Sequence, residues 1–152
     1  MRVPWRAPRA ATTRRVLVAF AAGELDPVVL RAALRIARAE EATLVSAYLI
    51  VVPLDHPLDS PMVDEVGEAL PILEAIERVG HRSGVPVDAR MERGRSLRDA
   101  LTRLWTEERF DRIVLPASTG GHSGFGERDL AWALTHAPTE MLVLLPAPEA
   151  AP

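Results

Sequence analysis

The part of the sequence best suited to chemistry is a glycine-rich segment, residues 117–126, between an apolar run and a segment with helical spacing. The backbone amides of such a loop, together with the positive end of the helix dipole that follows, suit a phosphate group or another anion. We therefore predict an anion cradle in this segment. Its members are Ser118, Thr119, Gly120, Gly121, Ser123 and Gly124.

The same segment suggests a second chemistry, because His122 and Ser123 could be a general base and a nucleophile. Adjacent residues rarely point at each other productively, and no third, orienting carboxylate can be named. We favour ordinary loop residues and keep a hydrolase as an alternative. The other histidines, His56, His81 and His136, lack metal-ligand spacing, and the chain has no cysteine. We therefore predict no catalytic residue and no metal site.

Length and composition are those of one globular domain. The chain has 152 residues, of which 48% are hydrophobic and 26% charged, and its formal net charge is -3. This balance gives no overall attraction to nucleic acid or to a membrane. No segment approaches the ~20 apolar residues that span a bilayer, and the first residues lack the apolar stretch of a signal peptide. We expect a cytoplasmic protein without a membrane or nucleic-acid partner.

Strand-like and helix-like segments alternate along the chain. Short apolar runs predict strands at residues 15–20, 43–52, 85–91, 110–116 and 141–145. Asp26-Pro27 opens the first helix, and Ser96 with Asp99 makes a capping box for the third. The second helix, residues 63–82, contains Pro71, which should kink or restart it. Four strand–helix units followed by a strand predict an α/β, Rossmann-like parallel sheet with helices on both faces.

The predicted domain covers residues 14–146. Before it, residues 1–13 are rich in Arg and Pro and read as a disordered basic arm, with contact to an acidic partner as the alternative. After it, residues 147–152 are rich in Pro and Ala and read as a frayed tail.

Over roughly residues 14–146 the sequence resembles the universal stress protein family. The order and spacing of several short segments carry the resemblance: Val16-Leu-Val-Ala19, Ala32-Ala-Leu34, Ile50-Val-Val-Pro53, Glu92-Arg-Gly94, Phe110-Asp-Arg-Ile-Val114, His136-Ala-Pro138 and Met141-Leu-Val-Leu-Leu145. The resemblance implies a five-stranded sheet in the order 3-2-1-4-5, of the adenine nucleotide alpha hydrolase-like type. It also implies a homodimer through the last strand and, in one branch of the family, an ATP site.

Ligands of open parallel sheets bind beyond the carboxyl ends of the strands, where the strand order reverses. That crevice should lie between the ends of strands one and four. The residues that we predict to contact a ligand there are Ala21, Gly23, Leu49, Pro116, Ala117, Ser118, Gly120, Gly121, Ser123, Gly124 and Arg128.

The sequence departs from the motif of the ATP-binding branch. That branch carries an Asp after strand one, where this chain has Ala21, and Gly-x2-Gly-x9-Gly-Ser/Thr after strand four. Here the first motif Gly is Ala117, and Glu127-Arg128 stands where the final Gly-Ser should be. We predict that Glu127 and Asp129 satisfy the free amides of the last helix and repel a triphosphate.

The leading hypothesis is therefore a non-enzymatic universal stress protein-like domain of the branch with a degenerate ATP motif. It would be regulatory or protective, homodimeric and without a cofactor, and it would act through an unknown protein partner or a small anionic ligand. The alternative is a protein that binds ATP with Mg²⁺ through a rearranged loop, residues 116–129, with weak hydrolysis.

Overall fold

The computed structural model describes residues 14–118 and 124–146 of the chain. The predicted basic arm, residues 1–13, and the predicted tail, residues 147–152, lie outside the described residues. The same is true of four members of the predicted cradle, Thr119, Gly120, Gly121 and Ser123.

Strands and helices alternate from one end of the described chain to the other. The elements are β1 (Arg14–Phe20), α1 (Pro27–Ala39), β2 (Ala42–Val51), α2 (Val63–Arg82), β3 (Val87–Gly94), α3 (Leu97–Glu107), β4 (Arg112–Pro116), α4 (Glu127–His136) and β5 (Met141–Leu144). Within the described residues, no helix is both long and apolar enough to cross a bilayer.

The five strands form one parallel sheet in the order β3-β2-β1-β4-β5, which confirms the predicted fold and strand order. Successive side chains of a strand point to opposite faces, and β1 divides accordingly. Val16, Val18 and Phe20 pack with α1 and α2, whereas Leu17 and Ala19 pack with α3 and α4. Each face thus has its own apolar core, and both helix layers are tied to the central strand.

Several predicted strand boundaries differ from the structure, most of all those of the third and fourth strands. The predicted third strand began at Val85, but the Val85 amide donates to the Gly80 carbonyl at 3.0 Å and closes the end of α2. The strand instead continues to Gly94, whose carbonyl accepts from the Val52 amide at 2.9 Å. The predicted fourth strand began at Phe110, whose side chain is buried against α3 before β4 starts.

Helices α1 and α3 begin at the capping residues that the sequence predicts. Asp26 accepts from the Val28 amide at 2.8 Å, and Ser96 accepts from the Asp99 amide at 3.0 Å. The Asp99 carboxylate in turn accepts from the Arg95 amide, and this bond lowers the pKa of Asp99. Pro71 was predicted to kink or restart its helix; a restart is wrong, because α2 is continuous from Val63 to Arg82, and the kink stays a prediction.

An ion-pair network joins the charged strand β3 to β1 and to the end of α3. The Arg15 Nη2 atom lies 2.7 Å from Glu108 Oε1 and 3.8 Å from Asp88 Oδ2. Arg90 pairs with both Asp88 and Glu108, and these two carboxylates raise the pKa of Arg90 against the opposing effect of its burial. The network keeps Arg90 charged at any working pH and leaves β3 with a strongly polar row on the α3 side.

Gly94 allows α3 to begin directly against the end of β3. A Cβ atom at this position would lie 2.4 Å from the Ala100 amide nitrogen and 2.7 Å from its Cα. Both atoms belong to the backbone of α3, so neither can move without displacing the helix. The glycine is therefore required by a close approach of two backbones.

We expect Gly94→Ala to lower the free energy of unfolding by about 3 kcal/mol, because the added methyl group overlaps helix backbone. Urea denaturation followed by circular dichroism measures the change. Gly67→Ala is the matched control, since Gly67 lies in α2 with nothing within 4 Å of the added atom. This variant should be more stable by about 1 kcal/mol, from helix propensity alone. Equal stability of the two variants would contradict the interpretation.

Candidate functional site

The side chains at the carboxyl end of β1, where the sequence predicts contacts with a ligand, are apolar. Ala21 is 7% exposed and Leu49 is 2% exposed, and both belong to the cluster that packs against α3 and α4. The chain then turns through Ala22 and Gly23, whose φ angles of 57° and 120° are both positive. The structure thus brings Ala21 and Leu49 together as predicted, but as buried apolar surface without a hydrogen-bonding side chain.

The loop after β4 is closed at its base by main-chain hydrogen bonds. The Ser118 amide donates to the Phe125 carbonyl, and the Phe125 amide donates to the Pro116 carbonyl, each at 2.9 Å. The Ala117 amide donates to the Leu144 carbonyl at 2.8 Å. Three amides at the base of the loop are therefore already satisfied, and that of Ser118 belongs to the predicted cradle. The predicted contacts of Ala117 and Ser118 with a ligand stay predictions.

Phe125 anchors this loop and was missed in the sequence interpretation. Its side chain is 1% exposed and lies in the same cluster as Ala21, Leu49 and Leu115. It therefore places a bulky apolar ring in the core next to the described ends of the loop. A single aromatic residue between Gly124 and Gly126 is the signal that could have indicated an anchor, because glycines let the backbone turn sharply on either side of it.

Gly124 has a structural role that differs from the predicted one. A Cβ atom on Gly124 would lie 2.8 Å from the Ser118 amide nitrogen and 2.9 Å from the Ala117 carbonyl atoms. The backbone at Gly124, where the chain leaves the loop, therefore packs directly on the backbone of Ala117 and Ser118, where the chain enters it. The residue explains how the loop can close, whether or not a ligand is bound within it.

The N-terminus of α4 is not capped by a side chain. Gly126 is the N-cap residue, and no side-chain hydrogen bond is made there by a described residue. The prediction that Glu127 and Asp129 satisfy the helix amides is therefore corrected. Asp129 turns away from its own helix, and its Oδ1 atom accepts from Arg98 Nε at 2.8 Å. Arg98 also lies over the ring of Trp132, 5.6 Å from its centroid.

The charges around the start of α4 are nearly balanced. Glu127 and Arg128 are both exposed, and Asp129 is paired with Arg98 of α3. The main-chain carbonyl of Arg128 accepts from Arg98 Nη2 at 3.4 Å, so Arg98 clamps two consecutive residues of the first turn. The helix dipole consequently meets both acidic and basic side chains rather than a single sign of charge.

A second concave surface lies on the opposite side of the sheet. Gly23, which was predicted to contact a ligand in the β1–β4 crevice, lines a groove between α1 and α2. Among residues 14–118 and 124–146, no group of three or more His, Cys, Asp or Glu side chains could hold a metal ion. Among the described residues, Ala21, Leu49 and Phe125 give the crevice an apolar surface.

Comparisons with solved structures identify the class of fold. No protein-family model and no curated protein sequence matches the chain. A universal stress protein family structure from Burkholderia pseudomallei is 25% identical, with a TM-score of 0.62, and the match covers 88% of this chain and 96% of that one. A universal stress protein from Archaeoglobus fulgidus is 15% identical, with a TM-score of 0.67 and coverage of 90% and 97%.

A further neighbour is a universal stress protein in complex with cAMP, which is 21% identical with a TM-score of 0.63 over 89% of this chain and 98% of that one. The chain therefore has the α/β Rossmann-like fold seen in universal stress protein structures, along almost their whole length.

We expect Gly124→Ala to lower the free energy of unfolding by about 2 kcal/mol, because the new methyl group meets the Ala117–Ser118 peptide. Gly126→Ser is the control two residues away, where an added Cβ has nothing within 4 Å. Serine is a slightly better N-cap residue than glycine, so Gly126→Ser should raise the free energy of unfolding by roughly a few tenths of a kcal/mol. Thermal unfolding compares the two variants, and a neutral Gly124→Ala would mean that the loop base is not closed in solution.

Proposed function

We propose that the chain is a universal stress protein-like domain with a regulatory or protective role. It acts as a homodimer, through a protein partner or a small anionic ligand, and not by catalysis. It does not bind ATP in the manner of the nucleotide-binding branch of the family. The fold of the neighbours supports the general class, and the geometry of the loop after β4 supports the statement on ATP.

The observation that carries the proposal is the use of the loop amides within the protein. Phosphate recognition by a glycine-rich loop depends on backbone N–H groups that point at the ligand. Here the amides of Ala117, Ser118 and Phe125 already donate to carbonyl groups of Leu144, Phe125 and Pro116. To bind a phosphate they would have to leave those carbonyls, at a cost of about 1–3 kcal/mol for each buried group left unpaired.

The floor of the crevice supports the same conclusion. In the nucleotide-binding branch of the family that the sequence resembles, from whose motif this chain departs, an Asp follows strand one. Ala21 occupies this position and is buried beside Leu49 and Phe125. The apolar side chains of this floor cannot form hydrogen bonds with the base or the ribose of a nucleotide. The floor therefore disfavours the nucleoside part of the ligand as well as its phosphates.

We expect isothermal titration calorimetry with ATP and Mg²⁺ to detect no binding tighter than about 1 mM. The control is a universal stress protein of the kind crystallised with cAMP, titrated with that ligand under the same conditions. A dissociation constant in the micromolar range for this chain would overturn the proposal, because it would require the loop amides to be available.

The two edges of the sheet support a homodimer through β5. Charged residues alternate along the edge strand β3, and such charges hinder the addition of another strand. The other edge strand, β5, has the sequence Met-Leu-Val-Leu, with half-buried side chains and no charge. An apolar edge strand with unpaired main-chain groups favours pairing with a second copy.

The hydrogen bonds of β5 show which residues face the open edge. The carbonyls of Glu140 and Leu144 accept from amides of β4 and of Ala117 on the β4 side. Main-chain groups of a strand alternate in direction, so the amide and carbonyl of Val143 point away from β4. On the opposite edge of the sheet, the Gly94 carbonyl of β3 faces β2. Because main-chain groups alternate in direction along a strand, the amide and the carbonyl of Ala89 point away from β2.

We expect Val143→Pro to convert the dimer to a monomer, because proline removes an outward donor without breaking the ladder to β4. Light scattering after size-exclusion chromatography gives the mass. Ala89→Pro is the matched control on the opposite edge and should leave the mass at that of two chains. A monomeric wild-type chain at tens of micromolar concentration, or an unchanged mass for Val143→Pro, would contradict the β5 interface.

A second candidate is a nucleotide-binding protein that uses the loop of residues 116–129 in a different arrangement. The uncapped start of α4 favours it, since the first amides of a helix have no partner within the helix. The neighbour in complex with cAMP shows that a protein with this fold can hold a nucleotide. The calorimetric titration separates the two candidates when AMP and cAMP are included beside ATP.

A further inference from the structure

A groove with mainly apolar lining lies between α1 and α2. Its volume is about 580 Å³. Leu25 and Leu30 line one wall, and Ile72 and Ile76 line the other. This size lies within the range of pockets that hold small organic molecules. The groove lies on the α1–α2 face of the sheet, away from the loop after β4.

The charged residues that line the groove have one sign. They are Glu24, before α1, and Glu68, on α2, and no Lys, Arg or His is among the lining residues described. Glu68 is exposed and forms no salt bridge with a described cation. A carboxylate at the rim of an apolar surface attracts a ligand that combines a cation with an apolar body.

The hydroxyl of Tyr48 is affected by carboxylates of α2. Its ring packs edge-on against Phe20, with centroids 5.4 Å apart, and its side chain is almost completely buried. Burial raises the pKa of the Tyr48 hydroxyl, and the carboxylates of Glu68 and Glu65 raise it further. Of these two carboxylates, that of Glu68 lines the groove.

We propose that the groove between α1 and α2 binds a small organic cation with an apolar body, such as an aryl-alkyl amine. The apolar part packs against the leucine and isoleucine walls, and the ammonium group lies at the rim beside Glu68. This site is separate from the β1–β4 crevice, so it does not depend on whether the chain binds a nucleotide.

Three probes of similar shape and different charge test the site: 4-phenylbutylamine, 4-phenyl-1-butanol and 4-phenylbutyrate. Titration into ¹⁵N-labelled full-length chain, followed by amide chemical shifts, gives both affinity and location. We expect the amine to bind with a dissociation constant on the order of 1 mM, as fragments of this size do. It should bind about fivefold more tightly than the alcohol, and the carboxylate should bind most weakly.

Glu68→Gln should remove most of that fivefold preference and leave the affinity for the alcohol unchanged. Glu74→Gln is the matched control, because Glu74 is exposed on the same helix but does not line the groove. Equal affinities for amine and alcohol, or shift changes that avoid α1 and α2, would overturn the proposal. Binding of ATP in the separate titration would overturn the proposed function and leave this site standing.

Discussion

A backbone amide donates essentially one good hydrogen bond, and this limit constrains the two described ends of the loop after β4. The amides of Ala117, Ser118 and Phe125 donate to main-chain carbonyls, so these three groups are used within the protein. Glycine-rich loops bind anions only when their amides converge on an empty space. The glycine content of the segment therefore shows only that the backbone can turn, and at its described ends the amides pair within the protein.

The closed loop is stabilised by packing on both sides. Phe125 inserts into the core between the sheet and the helices α3 and α4, and Gly124 lets the two arms of the loop touch. Arg98 then fixes the start of α4 by pairing with Asp129 and by lying over Trp132. Opening the loop would expose the Phe125 ring and break buried hydrogen bonds together, so these contacts act as one unit.

The alternation of strands and helices could be predicted from sequence because it depends on local patterns, whereas the strand order came from the resemblance to a known family. The apolar runs define the strands, and Ala21 in place of a carboxylate indicates a crevice without charge. The capping prediction for α4 failed for a physical reason: Asp129 pairs with Arg98, 31 residues away, rather than with its own helix. Local propensity favours an acidic residue near a helix start, but it contains no information on a basic residue from another helix. The closure by Phe125 is likewise a tertiary contact.

The turn after β1 belongs to both faces of the sheet. Ala21 packs into the core beneath the loop after β4, whereas Gly23 lines the groove between α1 and α2. The chain passes from one face to the other through Ala22, whose positive φ costs an alanine about 1 kcal/mol. This strain can persist because residues 16–20 of β1 are buried and the strand pairs with β2 and β4, which leaves its end little freedom to relax. The geometry of each concave surface therefore depends on the rigidity of the central strand.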